Sequence, residues 1–280
     1  MQFGVSTQLY HAQRLRREHL AEIASHGFDT VEIIATRSHV DYHDVSALDE
    51  VADWLTRERL RLHSIHAPVT ERVERGRWVA PFSNASPDPK VREHALRETK
   101  AALELARRLP VEVLVVHLGL HDALPASAAD NTRDAARRSV EVIAGYARSL
   151  GVRVALEVIP NALSTADALA ALVEDLDMPD VGVCLDFGHA HMMGDVVDAI
   201  ETLSGVLIAT HVHDNHGKLD EHLPPFEGTL DWPGALMALQ KVGYEGPMML
   251  ELAGADTPAP VLERARHAVV RFEDAAGSWT

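Results

Sequence analysis

Short runs of β-branched and apolar residues recur along the chain, and longer segments with helical spacing separate them. Alternation within these runs places every second residue on one face, as in VGVCLDF, where Gly182, Cys184 and Asp186 share a side. The pattern predicts eight strands. They are FGVST (3–7), TVEII (30–34), RLHSIH (61–66), VLVVH (113–117), VRVALEV (152–158), VGVCLDF (181–187), LIATHVH (207–213) and PMMLEL (247–252).

The segments between these strands carry apolar residues at helical intervals. Val140, Ile143, Ala144 and Ala147 are an example, because this spacing gives one buried face of a helix. Eight strand–helix units over 280 residues predict an α/β fold, a single (β/α)8 TIM barrel that spans residues 1–280 as one domain. A doubly wound open sheet is the rival fold, but it calls for a glycine-rich phosphate loop after an early strand, and the sequence has none.

Potential metal ligands lie at or just after the ends of six consecutive predicted strands. In a TIM barrel these ends form the C-terminal rim, where active sites occur. A single histidine there is more typical of ordinary hydrogen-bonded packing, but so many histidines and carboxylates in one place favour a cation. The full set is His66, His117, Glu157, Asp186, His189, His211, Asp220, His222 and Glu251.

Residue types and overall composition narrow the choice of metal, binding partner and cellular location. The donors suit zinc, manganese, iron or cobalt, and the set is too rich in imidazole for calcium. A formal net charge of −16 argues against a nucleic-acid partner and favours a small-molecule substrate. One cysteine, no signal-peptide pattern and no long apolar run indicate a cytoplasmic protein without a membrane partner. A homo-oligomer stays open.

Several motifs, in this order and at these strand ends, resemble the xylose isomerase-like barrels. This superfamily includes sugar and sugar-phosphate isomerases and epimerases and the zinc-dependent apurinic/apyrimidinic endonucleases. The resemblance covers nearly the whole chain. Its motifs are HAP (66–68), HLG (117–119), LEV (156–158), CLDFGH (184–189), HVHDN (211–215), DEHLPPFEGTLDW (220–232) and LEL (250–252).

The isomerase and epimerase branch implies one divalent metal. Its ligands would be Glu157, Asp186, His211 and Glu251. Glu157 and Glu251 would move a proton on and off the carbon beside a metal-polarised carbonyl, and His189 would contact a substrate oxygen. Epimerases of this branch often carry an arginine a few residues after the position of His211, where this chain has only Lys218.

The endonuclease branch implies three zinc ions and phosphoester hydrolysis. His66, His117 and Glu157 would hold the first ion, and Glu157 would bridge to the central one. His189, Asp220 and His222 would hold the third. A carboxylate that bridges two cations is a poor general base, so the two readings conflict at Glu157. A small-molecule hydrolase, DNA repair, a lyase and a non-catalytic sugar-binding barrel remain the alternatives.

Residues outside this set are weaker candidates. Glu32, near the end of the second strand, is predicted to contact substrate or metal-bound water, with a rim ion pair as the alternative. Lys218 is the best cationic candidate for a substrate anion. The irregular stretch 69–89 is predicted to be a lid or an ordinary loop, and Asp214 or Glu227 is predicted to orient metal-bound imidazoles.

Overall fold

A closed ring of eight parallel strands forms the centre of the computed structural model, which describes residues 1–74, 77–124, 126–254 and 257–277. The strands are β1 (Phe3–Ser6), β2 (Thr30–Ile34), β3 (Arg61–His66), β4 (Thr70–Glu74), β5 (Arg77–Pro81), β6 (Val113–Val116), β7 (Arg153–Glu157), β8 (Val181–Asp186), β9 (Leu207–Val212) and β10 (Met248–Leu250). The ring contains all of them except β4 and β5, which pair with each other, and it closes between β10 and β1.

Helices follow the barrel strands and cover the outside of the ring. They are α1 (Arg17–Ser25), α2 (Val45–Glu58), α3 (Pro89–Ala102), α4 (Ser127–Asp130), α5 (Arg133–Arg148), α6 (Ala166–Leu176), α7 (Phe187–Met193), α8 (Val196–Thr202), α9 (Trp232–Lys241) and α10 (Ala259–Gly277). The predicted (β/α)8 barrel is therefore confirmed. Among the described residues, each helix is too short or too polar to cross a bilayer.

Local sequence explains where these helices begin and which face they bury. In α5, Val140, Ile143, Ala144 and Ala147 are buried, as their spacing predicts. Asp88 caps α3 by accepting a hydrogen bond from Lys90 N at 2.8 Å, and Pro89 occupies the first helical position, where no backbone donor is needed.

The eight predicted strands correspond in order to the eight strands of the ring and differ from them at their ends, whereas β4 and β5 were not predicted. The runs 30–34 and 61–66 match exactly, whereas the others extend one or two residues too far. His117 and Glu251 consequently lie just beyond β6 and β10 rather than within them. Apolar character alone does not mark where ladder pairing stops, since residues at the rim stay buried after the last hydrogen bond.

The stretch 69–89 was predicted to be irregular, either a lid or an ordinary loop; the structure contradicts the irregularity, and the lid stays a prediction. Residues 70–74 and 77–81 form the two antiparallel strands of the hairpin β4–β5, with Thr70 opposite Pro81 and Val73 opposite Trp78. The predicted lid residue Arg75 lies outside the described residues. The hairpin follows β3 directly, so it stands on the C-terminal rim of the barrel.

Two layers of apolar side chains support this rim. The larger layer fills the space between the ring and the helices. A small cluster inside the ring consists of Val113, Val115, Ala155, Cys184 and Ala209. Cys184 is buried and free, which fits packing rather than nucleophilic chemistry. These small side chains form the floor beneath the polar residues at the strand ends.

Candidate metal centre

Four buried donors meet at the C-terminal end of the ring. Glu157, Asp186, His211 and Glu251 each offer one ligand atom, and these atoms all lie within 4.8 Å of one another. They come from the ends of four neighbouring strands, β7 to β10. Strand register brings these residues together. Asp186 pairs directly with His211, and Glu157 pairs with Cys184, which precedes Asp186 by two residues and shares its face of the strand.

Asp186 has a second structural role at the start of α7. Its carboxylate caps this short helix by accepting a hydrogen bond from His189 N at 2.7 Å. His213 Nε2 lies 3.1 Å from Asp186 Oδ2, and both side chains are buried. The carboxylate is therefore fixed in orientation before any ion binds.

A second group of donors shares Glu157 with the first. His66 Nε2 lies 3.1 Å from Glu157 Oε2, and His117 Nε2 lies 3.0 Å from the same oxygen. The other oxygen, Oε1, lies 3.2 Å from His211 Nδ1. Glu157 thus stands between the histidines of β3 and β6 and the central four-donor group.

A third group is completed by the long loop after β9. Asp220 Oδ2 lies 3.3 Å from His189 Nε2 and 3.1 Å from His222 Nε2. His222 has a φ of 46°, in the left-handed region, which is energetically unfavourable for any residue other than glycine. Strain of this kind at a polar pocket residue is a typical mark of a functional site.

Backbone carbonyls orient three of the histidines. In each case Nδ1 donates to a carbonyl, which leaves Nε2 directed at the carboxylates. Outer partners of this kind fix the tautomer and the ring angle of metal-bound imidazoles. The acceptors are Ala67 O for His66 (2.8 Å), Val158 O for His189 (3.1 Å) and Glu251 O for His222 (2.8 Å).

His211 is oriented by a carboxylate instead. Its Nε2 lies 3.1 Å from Glu32 Oε2, and Ser64 Oγ donates to the same oxygen at 2.8 Å. Glu32 is 0% exposed and lies beneath His211, away from the pocket. The structure therefore places Glu32 behind a candidate ligand, paired with His211, rather than against substrate or metal-bound water as predicted.

Proton affinities in the cluster reflect its opposite charges. Burial alone would lower the pKa of His66, but Glu157 raises it to about 9. Burial also opposes the positive charge on His189 and His222, whose pKa values are nevertheless raised to about 10 and about 9 by Asp186 and Asp220 respectively. Without a metal, protons on these imidazoles balance the carboxylates.

The carboxylates show the reverse shift. Burial would raise the pKa of Glu157, but His117 and His211 hold it well below its ordinary range. The pKa values of Asp186 and Asp220 are also lowered by neighbouring histidines despite burial. Three buried carboxylates and one imidazole within 4.8 Å form an anionic site that a divalent cation fits.

The remaining predicted residues lie farther from this centre. Lys218 is exposed in the loop after β9. Asp214 and Glu227 do not orient the imidazoles as predicted: Asp214 accepts a hydrogen bond from Trp232 Nε1 at 2.9 Å, and Glu227 pairs with Arg264. Asp214 holds the loop instead, because its buried carboxylate lies where several backbone donors of that loop converge.

A pocket opens above the donors. Its lining includes Glu157 and Glu251 but neither Asp186 nor His211, so those two lie deeper. Several residues that line the pocket were not among the predicted contacts. These are Gln8, Ile34, Val69, Trp78 and Ile159. Their common signal is position, since all but Trp78 lie at a barrel strand end or within three residues after it.

Fold and site together define a TIM barrel with a candidate metal centre on its C-terminal rim. The chain belongs to the xylose isomerase-like TIM barrel family, whose model matches residues 20–271. The resemblance drawn from the motifs is thereby confirmed.

Relatives cover most of this chain. An uncharacterized protein of Methanocaldococcus jannaschii is 29% identical over 259 residues, which are 90% of this chain and 83% of that protein. L-ribulose-5-phosphate 3-epimerase UlaE of Salmonella paratyphi A is 28% identical over 246 residues, 86% of this chain and 84% of the epimerase. The crystal structure of a D-tagatose 3-epimerase-like protein superposes with a TM-score of 0.81 at 26% identity, covering 99% of this chain and 97% of that one.

Proposed function

We propose that the protein is a divalent-metal-dependent epimerase or isomerase of a small sugar or sugar phosphate. One observation carries this proposal: of the four central donors, the two that line the pocket are both glutamates, Glu157 and Glu251. Two carboxylates facing one substrate are what proton transfer on either side of a carbon requires. Relatives named as sugar 3-epimerases support the same reaction class.

The residues that would hold the ion are Glu157, Asp186, His211 and Glu251. A bound divalent cation, zinc or manganese, would supply charge stabilisation for the substrate oxygens beside the reacting carbon. Asp186 and His211 lie deeper and would serve only to bind the ion. The lowered pKa of Glu157, caused by His117 and His211 against the effect of burial, keeps its carboxylate ionised at neutral pH.

In the proposed reaction one glutamate removes a proton from the carbon next to the carbonyl. Return of a proton by the other glutamate to the opposite face gives the epimer, and return to the adjacent carbon gives the isomer. His189 lines the same pocket, and its Nε2 would bind a substrate oxygen. Its Nδ1, 3.1 Å from Val158 O, holds the ring in place.

Solvent exchange tests the proposal. We expect the metal-loaded protein to convert a ketose or ketose phosphate to its epimer in D2O with incorporation of deuterium at the inverted carbon, measured by NMR. Glu157→Gln and Glu251→Gln should each lower kcat by about 10²–10⁴-fold. Glu263→Gln, on the exposed side of α10, is the matched control and should retain full activity. Epimerisation without deuterium incorporation would contradict the proton-transfer mechanism.

A second function is favoured by one specific observation. Three of the overlapping donor groups among the described residues together contain all nine donors, and Glu157 belongs to two of these three. That arrangement suits a trinuclear site for hydrolysis of a small phosphoester. Metal content separates the two functions: about one ion per chain supports the epimerase, whereas about three ions with phosphodiesterase activity support the hydrolase. In the second case Glu157→Gln should remove more than one ion.

A further inference from the structure

A large aromatic side chain stands partly exposed at the mouth of the pocket. Trp78, on strand β5 of the hairpin, is 40% exposed, although an indole of this size is normally well buried. It lines the same pocket as Glu157, and its ring centroid lies 6.5 Å from that of His117. The exposed apolar area is therefore directed at the candidate site, where a ligand would cover it.

The strand that carries Trp78 is paired and hydrogen-bonded along its backbone. Thr70 Oγ1 donates to Val79 O at 2.7 Å, and Phe82 N donates to Val69 O at 3.0 Å, so the two strands are tied to each other at the base of the hairpin. Val73 pairs with Trp78 across the two strands. A fixed aromatic surface binds a ligand with less loss of conformational entropy than a mobile one.

The pocket lining contains two chemically different kinds of residue. The donor groups contribute imidazoles and carboxylates, and Trp78, Ile34, Val69 and Ile159 contribute apolar surface. A sugar offers both matching surfaces, since its hydroxyls form hydrogen bonds while its C–H groups form an apolar face. Aromatic rings in ligand pockets commonly provide contact area for such faces.

We propose that Trp78 is a specificity-determining residue that packs its indole against the C–H face of the bound sugar. The inference rests on the proposed function, because it takes the substrate to be a sugar. Trp78 carries no proton-transfer or metal-binding group, so its contribution is to substrate binding and leaves the chemical step unchanged.

Kinetics of three variants test this role. Trp78→Ala should raise KM for the ketose by about 10-fold, with kcat changed by less than about 3-fold. Trp78→Phe keeps an aromatic face and should restore most of the affinity. Met237→Ala is the control, because this side chain is 54% exposed on α9 and lies outside the pocket lining. Metal content should be the same in all four proteins.

Fluorescence supplies a second measurement that does not depend on the alanine variant folding. Titration of the metal-loaded wild type with the ketose should change its tryptophan emission, and Trp78→Phe should lose that change. Unaltered KM in Trp78→Ala together with an emission change that persists in Trp78→Phe would overturn the inference while the epimerase stands. A wild type that turns over no ketose would overturn the proposed function, and this inference with it.

Discussion

Glu32 shows how a residue outside the pocket can orient a candidate ligand of the metal centre. Its carboxylate accepts from His211 Nε2 at 3.1 Å and from Ser64 at 2.8 Å, so His211 is left with Nδ1 facing Glu157 and Glu251. Charge from His211 also holds the pKa of Glu32 at about 2 although burial would raise it. The pair is therefore ionic or strongly polarised within the barrel.

We expect Glu32→Gln to weaken binding of the central metal by about 10–100-fold, the usual effect of removing an outer partner of a metal-bound histidine. The amide fills the same space, but it carries no charge and can present a donor to the imidazole. Metal affinity measured by competition with a chromophoric chelator checks this. Glu112→Gln, half-exposed and paired with Arg61, is the control. Equal metal affinities in Glu32→Gln and wild type would contradict the positioning role.

The candidate ligands could be located from the sequence, but the hydrogen-bond acceptors that orient their imidazoles could not. Alternation along a strand shows that His66 and His211 point to one side, and counting to the strand end places them on the rim. The partner of His66 is the carbonyl of Ala67, and every residue has a carbonyl, so no residue type signals it. The partner of His211 lies 179 positions earlier in the chain, and only closure of the barrel brings Glu32 beneath it.

At the scale of elements, the loop after β9 brings two donors back to the site. Residues 213–231 contain Asp220 and His222, and Asp214 anchors the loop at both ends. Its Oδ1 accepts from Asn215 N and Leu230 N, and its Oδ2 accepts from Phe226 N and Trp232 Nε1. The backbone of Asp214 also pairs with Leu223 in both directions, at 2.8 and 2.9 Å.

We expect Asp214→Asn to destabilise the protein by about 2–4 kcal/mol, since the new amide group would face two buried donors and leave them unsatisfied. Urea denaturation measures the loss of stability. Asp231→Asn is the control, because Asp231 caps α9 at the exposed end of the same loop. Wild-type stability in Asp214→Asn would exclude the anchoring role.

The hairpin β4–β5 could not be predicted from the same signals that revealed the barrel. The segment TERVERGRWVAP contains few apolar residues, and its five charged residues fall on both alternating sets of positions, so it shows no strand periodicity and resembles a polar loop. Its strands are held by backbone pairing with each other rather than by a buried face. The barrel strands were visible because burial on both sides makes them continuously apolar.

At the scale of the whole molecule, the cluster links stability to pH and to metal. The pKa values of His66, His189 and His222, raised to about 9, 10 and 9, exceed that of a free imidazole. Their protonated forms therefore stabilise the metal-free protein below about pH 6.5, and this contribution is lost as the pH rises through 9 to 10. The lowered carboxylate pKa values contribute stability that is lost only as the pH falls below about 4.

Bound metal opposes this loss of stability at alkaline pH, because a cation binds the neutral imidazole and releases its proton. We expect the melting temperature of the chelator-treated protein to fall between about pH 6 and pH 9, and the increase in melting temperature caused by added metal to grow over the same interval. Calorimetry with and without metal measures both quantities.

His222→Gln should reduce the dependence of the melting temperature on pH, whereas His267→Gln, exposed on α10, should leave it as in the wild type. If added metal raises the melting temperature equally at both pH values, then protons and cations do not compete for these nitrogens, and the donor groups at the rim are held by their own ion pairs alone.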